Sequence, residues 1–154
     1  MPLVDDTGLP SYRRLREEGM EVLDKNRAQE QDIRELHIGL LNMMPDAALE
    51  PTERQFLRLI DSCNRIVQFY VYPFSPAVIP RGDAARRHID QYYFEFDAVQ
   101  EKGLDALIIS GANPISLRLE NESFWEPLGQ VLDWASEHVT STLCACLATH
   151  AALK

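Results

Sequence analysis

The sequence predicts an α/β protein built on a doubly wound, mostly parallel sheet, and three observations carry that expectation. Four short apolar runs, at 36–42, 66–72, 104–110 and 139–145, are nearly unbroken, as strands covered on both faces require. Between them lie segments whose apolar residues recur at helical spacing. Turn-forming residues follow the runs: Pro45 after the first, Pro73 and Pro76 after the second, Gly111 to Pro114 after the third. Strands alternating with helices in a chain of 154 residues fit one domain, with helices packed on the faces of a single sheet.

Residues 1–34 are expected to form an N-terminal helix and a surface extension, and 35–154 the sheet-bearing part. Ser11 is a candidate N-cap and Gly19 a terminator for a short charged helix with a largely solvated face. From Met20 to Arg34 the polar composition predicts a drape over the surface before the first strand. His37, at the start of that strand, reads as a strand-edge residue. After a loop at 46–50, Thr52 and Gln55 have capping-box spacing, and Phe56, Leu57, Leu59 and Ile60 supply an apolar stripe. The second strand gives way to a loop whose Pro80 and Gly82 exclude regular structure, and a longer helix is expected over 83–100. Its Tyr92, Tyr93, Phe94 and Phe96 read as core packing plus an interface edge, because no basic groove accompanies them to bind bases. The third strand delivers Gly111-Ala112-Asn113-Pro114 to its carboxyl end, where open α/β sheets bind ligands. A helix over 123–138 then carries Phe124, Trp125, Leu128, Val131, Leu132 and Trp134, with Ser123 as its candidate cap.

Composition narrows the function. A formal charge of −9 opposes binding to phosphate backbones and anionic membranes and so argues against nucleic acid as a partner. No apolar run approaches the ~20 residues of a membrane span, and residues 1–6 carry neither the basic nor the apolar region of a secretory signal. The expected location is cytoplasmic. Cys63, Cys144 and Cys146 are too few and too unevenly placed for a disulfide framework, and a Cys-x-Cys pair alone is not a metal signature. The Gly111 turn lacks the glycine pattern and lysine of a phosphate-binding loop, which disfavours nucleotide hydrolysis.

The chemistry concentrates at the fourth strand. At Cys146 a β-prone run turns into small, helix-prone residues, and a strand-to-helix turn of that kind lifts one side chain out of the sheet. Cys146 is therefore the candidate nucleophile, against the alternative of a small buried thiol closing a core strand. Cys144, two residues earlier, stays within the strand pattern. An elbow nucleophile needs oxyanion donors, a base and a group that orients the base. The amide of Leu147 and those of the Gly111-Ala112 turn are the candidate donors, and the helix that follows would lower the Cys146 pKa. His150 lies one helical turn beyond the elbow and is a poor candidate base. His37, His88 and His138 have no sequence reason to face Cys146.

Several segments in order resemble the homoserine O-succinyltransferase/O-acetyltransferase family of methionine biosynthesis. They are Gln31 to Ile38 running into Leu41-Asn42-Met43-Met44-Pro45, Glu50 to Leu59, Ser110-Gly111-Ala112, Trp125, and Thr140 to Leu143 before Cys146. The resemblance covers nearly the whole chain and implies a class I glutamine-amidotransferase-like, flavodoxin-like three-layer fold, incomplete here. It implies L-homoserine as acceptor and succinyl-CoA or acetyl-CoA as acyl donor, succinyl favoured, with no bound cofactor and room for a homodimer. It also implies ping-pong transfer through an acyl group on Cys146, with a histidine base and an orienting glutamate in a second half. On that basis these residues are expected to be the N-terminal portion of a longer enzyme, with the base and carboxylate beyond Lys154 and no activity by themselves. A glutamine-amidotransferase-like or oxidant-sensing cysteine domain is the alternative on the same fold.

Overall fold

A computed structural model describes residues 3–63 and 66–154; Met1 and Pro2 of the expected N-terminal segment lie outside it. In chain order the elements are β1 (Leu3–Asp5), α1 (Pro10–Glu17), β2 (Val22–Asp24), α2 (Lys25–Gln29), β3 (Glu35–Met43), α3 (Asp46–Cys63) and β4 (Gln68–Phe74). After these come α4 (Asp83–Tyr92), α5 (Phe96–Lys102), β5 (Ala106–Ala112), α6 (Trp125–His138), β6 (Ser141–Cys144) and α7 (Leu147–Ala152).

The six strands form one sheet in the order β2-β1-β4-β3-β5-β6, and every pairing is parallel. From β3 the chain steps outward to β4, then returns past β3 to β5 and β6. The order thus reverses between β3 and β5, which opens a crevice at their carboxyl ends. Helices cover both faces. On one, α2, α5, α6 and α7 bury Ala28, Val99, Leu128, Val131, Ala148 and other small or branched residues against Tyr72, Phe74, Leu107 and Ile109. On the other, α1 and α3 bury Tyr12, Leu15, Phe56, Leu57 and Ile60 against Ile38, Leu40, Val71 and Ile108. The doubly wound, flavodoxin-like arrangement read from the sequence is the one observed, with a sheet that is wholly parallel.

Five local expectations are corrected. The segment from Met20 to Arg34 does not simply drape over the surface: Val22–Asp24 pairs with β1, and both extend the sheet beyond β4. Two three-residue strands are too short to show a period, so only long-range pairing reveals them. Ser11 is not a cap. Leu9 holds that position with Pro10 at the first helical turn, and Ser11, Tyr12 and Leu15 are buried, so α1 is a packed rather than solvated helix. Gly19 does end it, at φ 87°, with Met20 N–H donating to Leu15 O.

Nor does α3 begin at Thr52. It starts at Asp46 and continues through Pro51, leaving Thr52 buried inside the helix, and α6 likewise starts two residues after Ser123. The helix expected over 83–100 is broken at Tyr93, whose backbone is extended (φ −89°, ψ 154°). There Phe94 N–H donates to Pro73 O at 2.8 Å, beside the end of β4. The break has a packing reason: Tyr92 and Tyr93 serve one face of the sheet, while Phe94 and Phe96 serve the other. The aromatic run, partly buried, packs against the core, which is the packing part of the expectation.

Candidate active site

The site is built at the crest of the sheet, beginning with the strand that carries the thiols. β6 runs beside β5 in the register Ile109↔Cys144, and Ala145 N–H adds a last bond to Ile109 O at 2.9 Å. The chain then turns sharply. Cys146 has φ 54° and ψ −120°, the sole positive φ of a residue other than glycine among the described residues. Such a conformation costs on the order of 1–3 kcal/mol for a side-chain-bearing residue and persists where the surroundings impose it. Here they do. The Thr149 hydroxyl donates to Cys144 O at 2.8 Å across the turn, and α7 packs Ala148 and Ala151 into the core. The result separates the two thiols. Cys144 is partly buried, and that burial pushes its pKa up, whereas Cys146 is exposed.

Gly111 forms the wall beside the thiol. A Cβ placed on it would lie 3.3 Å from Cys146 Cβ, 3.7 Å from Cys146 Sγ and 3.6 Å from Met44 Sδ. A side chain at position 111 would therefore crowd the cysteine, and glycine permits the approach. Leu147 is the first residue of α7, so its N–H has no carbonyl within the helix to bond to. Ser110, one residue before the glycine, is buried. Its Oγ accepts Met43 N–H at 2.8 Å and donates to Gly111 O at 2.8 Å, which ties the ends of β3 and β5 together.

The β3–α3 turn completes the wall. Asn42, fully buried, donates through Nδ2 to Leu49 O and to Tyr93 Oη, both at 3.0 Å, while its Oδ1 accepts Met44 N–H. Tyr93 Oη donates to Glu53 Oε1 at 2.7 Å, and Glu53 also accepts from Ser11 Oγ (2.5 Å) and pairs with His88 Nε2 (2.7 Å). Glu53 is 0% exposed, and these three partners compensate its burial. Burial by itself would lower the His88 pKa, but the hydrogen bond and charge of Glu53, with Glu50 beyond, raise it above the ordinary histidine value. Burial, then the charge of Glu53, holds the Tyr93 pKa well above the usual tyrosine range, so it remains a donor. On the other side of the turn, Asp46 accepts Gly82 N–H at 2.7 Å and Arg81 Nη1 at 3.3 Å. The Gly82 amide first, and Arg81 after it, hold the Asp46 carboxyl below its usual range.

A cavity of about 520 Å³ opens in the crevice between the carboxyl ends of β3 and β5, lined by Pro45, Ala47, Ile79, Ala112, Asn113 and Phe124 among others. Its rim loop is held by Glu122, whose Oε1 accepts the amides of Ile115 (2.6 Å) and Ser116 (2.5 Å).

The structure brings together Cys146 and Gly111, with Ala112 at the end of β5 and Leu147 directly after the cysteine. It keeps three of the histidines elsewhere: His37 Nδ1 pairs with Tyr72 Oη at 2.6 Å, His88 with Glu53, and His138 Nδ1 with Trp134 O at 3.0 Å. His150 is exposed on α7. Sequence reasoning missed the contacts of Ser110, Asn42 and Arg81, which reach other segments of the chain, and that of Thr149, which bonds Cys144 O five residues before it. Among the described residues, no His, Cys, Asp or Glu cluster is arranged to hold a metal ion, and no helix is long and apolar enough to cross a membrane.

Fold and site together define a three-layer α/β domain that presents a single exposed cysteine on a strained strand-to-helix elbow above a parallel sheet. A family model described as homoserine O-succinyltransferase matches residues 2–154. Among curated relatives of that name, the protein of Methylococcus capsulatus is 61% identical over 151 residues, 98% of this chain and 42% of its own length. That of Methylobacter tundripaludum is 60% identical over 154 residues, 100% of this chain and 44% of its own. That of Thiothrix nivea is 60% identical over 151 residues, again 98% and 42%. The chain belongs to the homoserine O-succinyltransferase family, and it spans less than half the length of these relatives.

Proposed function

We propose that these residues carry the acyl-accepting half of a homoserine O-succinyltransferase of methionine biosynthesis, acting in the cytoplasm. The observation that carries the reading is the elbow. One cysteine, exposed and held at φ 54°, stands against a glycine, at the crevice where the sheet order reverses, in a chain that belongs to this family.

The chemistry follows from the arrangement. The Cys146 thiolate attacks the thioester carbonyl of succinyl-CoA, and the carbonyl oxygen gains the negative charge. We take the N–H groups of Leu147, at the start of α7, and of Gly111 and Ala112, at the end of β5, as the donors that stabilise that oxyanion. Collapse of the tetrahedral species breaks the bond to CoA sulfur, which leaves as thiolate and takes a proton, and Cys146 holds the succinyl group as a thioester. In the second half, the homoserine hydroxyl gives its proton to a base, attacks the thioester carbonyl and restores the thiolate. Splitting the transfer replaces one three-body alignment with two simpler steps. With His37, His88 and His138 engaged elsewhere and His150 on the helix that leads away from the elbow, we assign the first half to these residues and the base of the second to the remaining length that the relatives possess.

The test is intact mass. Incubated with the chain, succinyl-CoA is expected to leave one succinyl group on the protein and release free CoA. Cys146→Ala abolishes both, acetyl-CoA labels more slowly, and no O-succinylhomoserine forms from these residues alone. If neither donor labels Cys146 while glutamine is hydrolysed to ammonia, the reading is lost in favour of an amidotransferase-like domain.

A further inference from the structure

We infer that Arg81 is a positioning residue for the nucleophile: from inside the β4–α4 loop it fixes the β3–α3 turn that holds Met44 against Gly111 beside Cys146. The inference rests on the reading of Cys146 as the reacting group. Nothing in the sequence around Arg81 marks it, since it stands between Pro80 and Gly82 in a stretch of turn residues.

Its side chain is only 5% exposed, so the guanidinium is held in the interior, where a charge persists only if paired and hydrogen-bonded. The bonds it makes are directed at one piece of chain. Nη1 donates to Met44 O at 2.5 Å and to Asp46 Oδ1 at 3.3 Å, and Nη2 donates to Asn42 O at 3.4 Å and to Ser75 Oγ at 3.2 Å. Three of the four acceptors belong to residues 42–46, the turn that leaves β3 for α3. The clamp is reciprocal, because Asp46 Oδ2 takes the amide of Gly82, the residue after Arg81. A Cβ on Gly82 would come within 3.1 Å of that oxygen, so the two loops lie close together.

The turn so held is the one that meets the thiol. Met44 Sδ and Cys146 Sγ crowd the same side of Gly111, within 3.6 and 3.7 Å of the position its Cβ would take. Asn42 and Met43 are anchored independently, by Tyr93, Leu49 O and Ser110. Arg81 is what reaches the carbonyl of Met44 itself. A planar fork suits this task, since it bonds two carbonyls and a carboxylate from one rigid group, which a lysine ammonium cannot reproduce in the same geometry. Without it, Met44 keeps the bond from its N–H to Asn42 Oδ1 but loses the hold on its carbonyl, and the acyl group loses a fixed wall on which to align.

The experiment compares Arg81→Met, Arg81→Lys and Asp46→Asn with the parent chain by peptide mapping, using Cys63 as an internal exposed thiol. Each variant is expected to raise iodoacetamide labelling of Cys146 relative to Cys63 by about tenfold or less, with faster deuterium uptake in the turn at 43–48. Each is also expected to slow succinylation of Cys146 by succinyl-CoA by about tenfold or more. Arg81→Lys falls between Arg81→Met and the parent. A merely structural role lowers the melting temperature and leaves the ratio of Cys146 to Cys63 labelling unchanged in the folded protein. That result in Arg81→Lys and Asp46→Asn overturns the inference, even if Arg81→Met fails to fold. If the parent chain takes no succinyl group but its Cys146 labelling still depends on Arg81, the acyl-transfer reading fails and the positioning role stands.

Discussion

Cys146 gives up conformational ease for exposure of its sulfur. Its φ of 54° and ψ of −120° suit glycine far better than cysteine, so the elbow stores strain that glycine would release. Cys146→Gly is therefore expected to raise the free energy of unfolding by about 1 kcal/mol, the relieved strain less the greater entropy of an unfolded glycine. Cys146→Ala keeps the strain and shows no such gain; chemical denaturation of the two variants distinguishes them. Gly111→Ala acts from the opposite wall. Its new methyl carbon, 3.3 Å from Cys146 Cβ, forces one of the two to move, and succinylation of Cys146 is expected to fall by about tenfold or more while the fold survives. His88 sets a pH dependence of stability. Its folded pKa lies above the ordinary value of 6.5, so the stabilisation from its pair with Glu53 is fully present below that value and is lost as pH rises through the raised one. The difference in unfolding free energy between the parent and His88→Gln should shrink from about pH 6 to about pH 8; a difference that grows over that range contradicts the assignment.

Among the elements, the central strands were legible in the sequence because their physics is local. The runs in β3, β4 and β5 are nearly continuously apolar since both faces are covered, and that is a property of the run itself. β1 and β2 were not legible: three residues each have no period, and they are strands only because β4 offers an edge for pairing. The start of α3 was misplaced because Pro51 and the Thr52–Gln55 spacing both mimic a helix start, whereas the true one lies at Asp46. Even Pro73, read as the end of a strand, sits inside β4, at a level that β1 does not reach. At the site, the strand-to-helix turn at Cys146 and Leu147 was legible because an elbow is a local pattern, whereas the approach of Gly111 to it is made by the pairing of β5 with β6. Arg81, Ser110 and Asn42 were not, since each acts on a turn or strand end that only the fold brings near. β3 supplies a test at this scale. A Cβ on Gly39 would fall 2.5 Å from Leu104 Cδ1 and 3.0 Å from Leu107 Cδ1, both buried side chains. Gly39→Ala is expected to cost about 1–3 kcal/mol by overpacking, read as a drop in the denaturation midpoint without a change in the relative labelling of Cys146 and Cys63.

For the molecule as a whole, the sheet order explains why the chemistry is where it is. Reversal between β3 and β5 leaves their carboxyl ends uncovered by any crossover, and the residues singled out by the elbow, the clamp and the 520 Å³ cavity gather around those ends. The two exposed thiols at opposite settings in this architecture provide a control built into the chain. Cys63 closes α3, with its Sγ near Leu59 O, and Cys146 crowns the sheet. If exposure alone decided reactivity, succinyl-CoA would label both. Site-resolved succinylation therefore tests the central claim most directly. An acyl-accepting elbow predicts that Cys146 is labelled at least about tenfold faster than Cys63 and that Gly111→Ala removes the advantage. Equal labelling of the two, or faster labelling of Cys63, would contradict it.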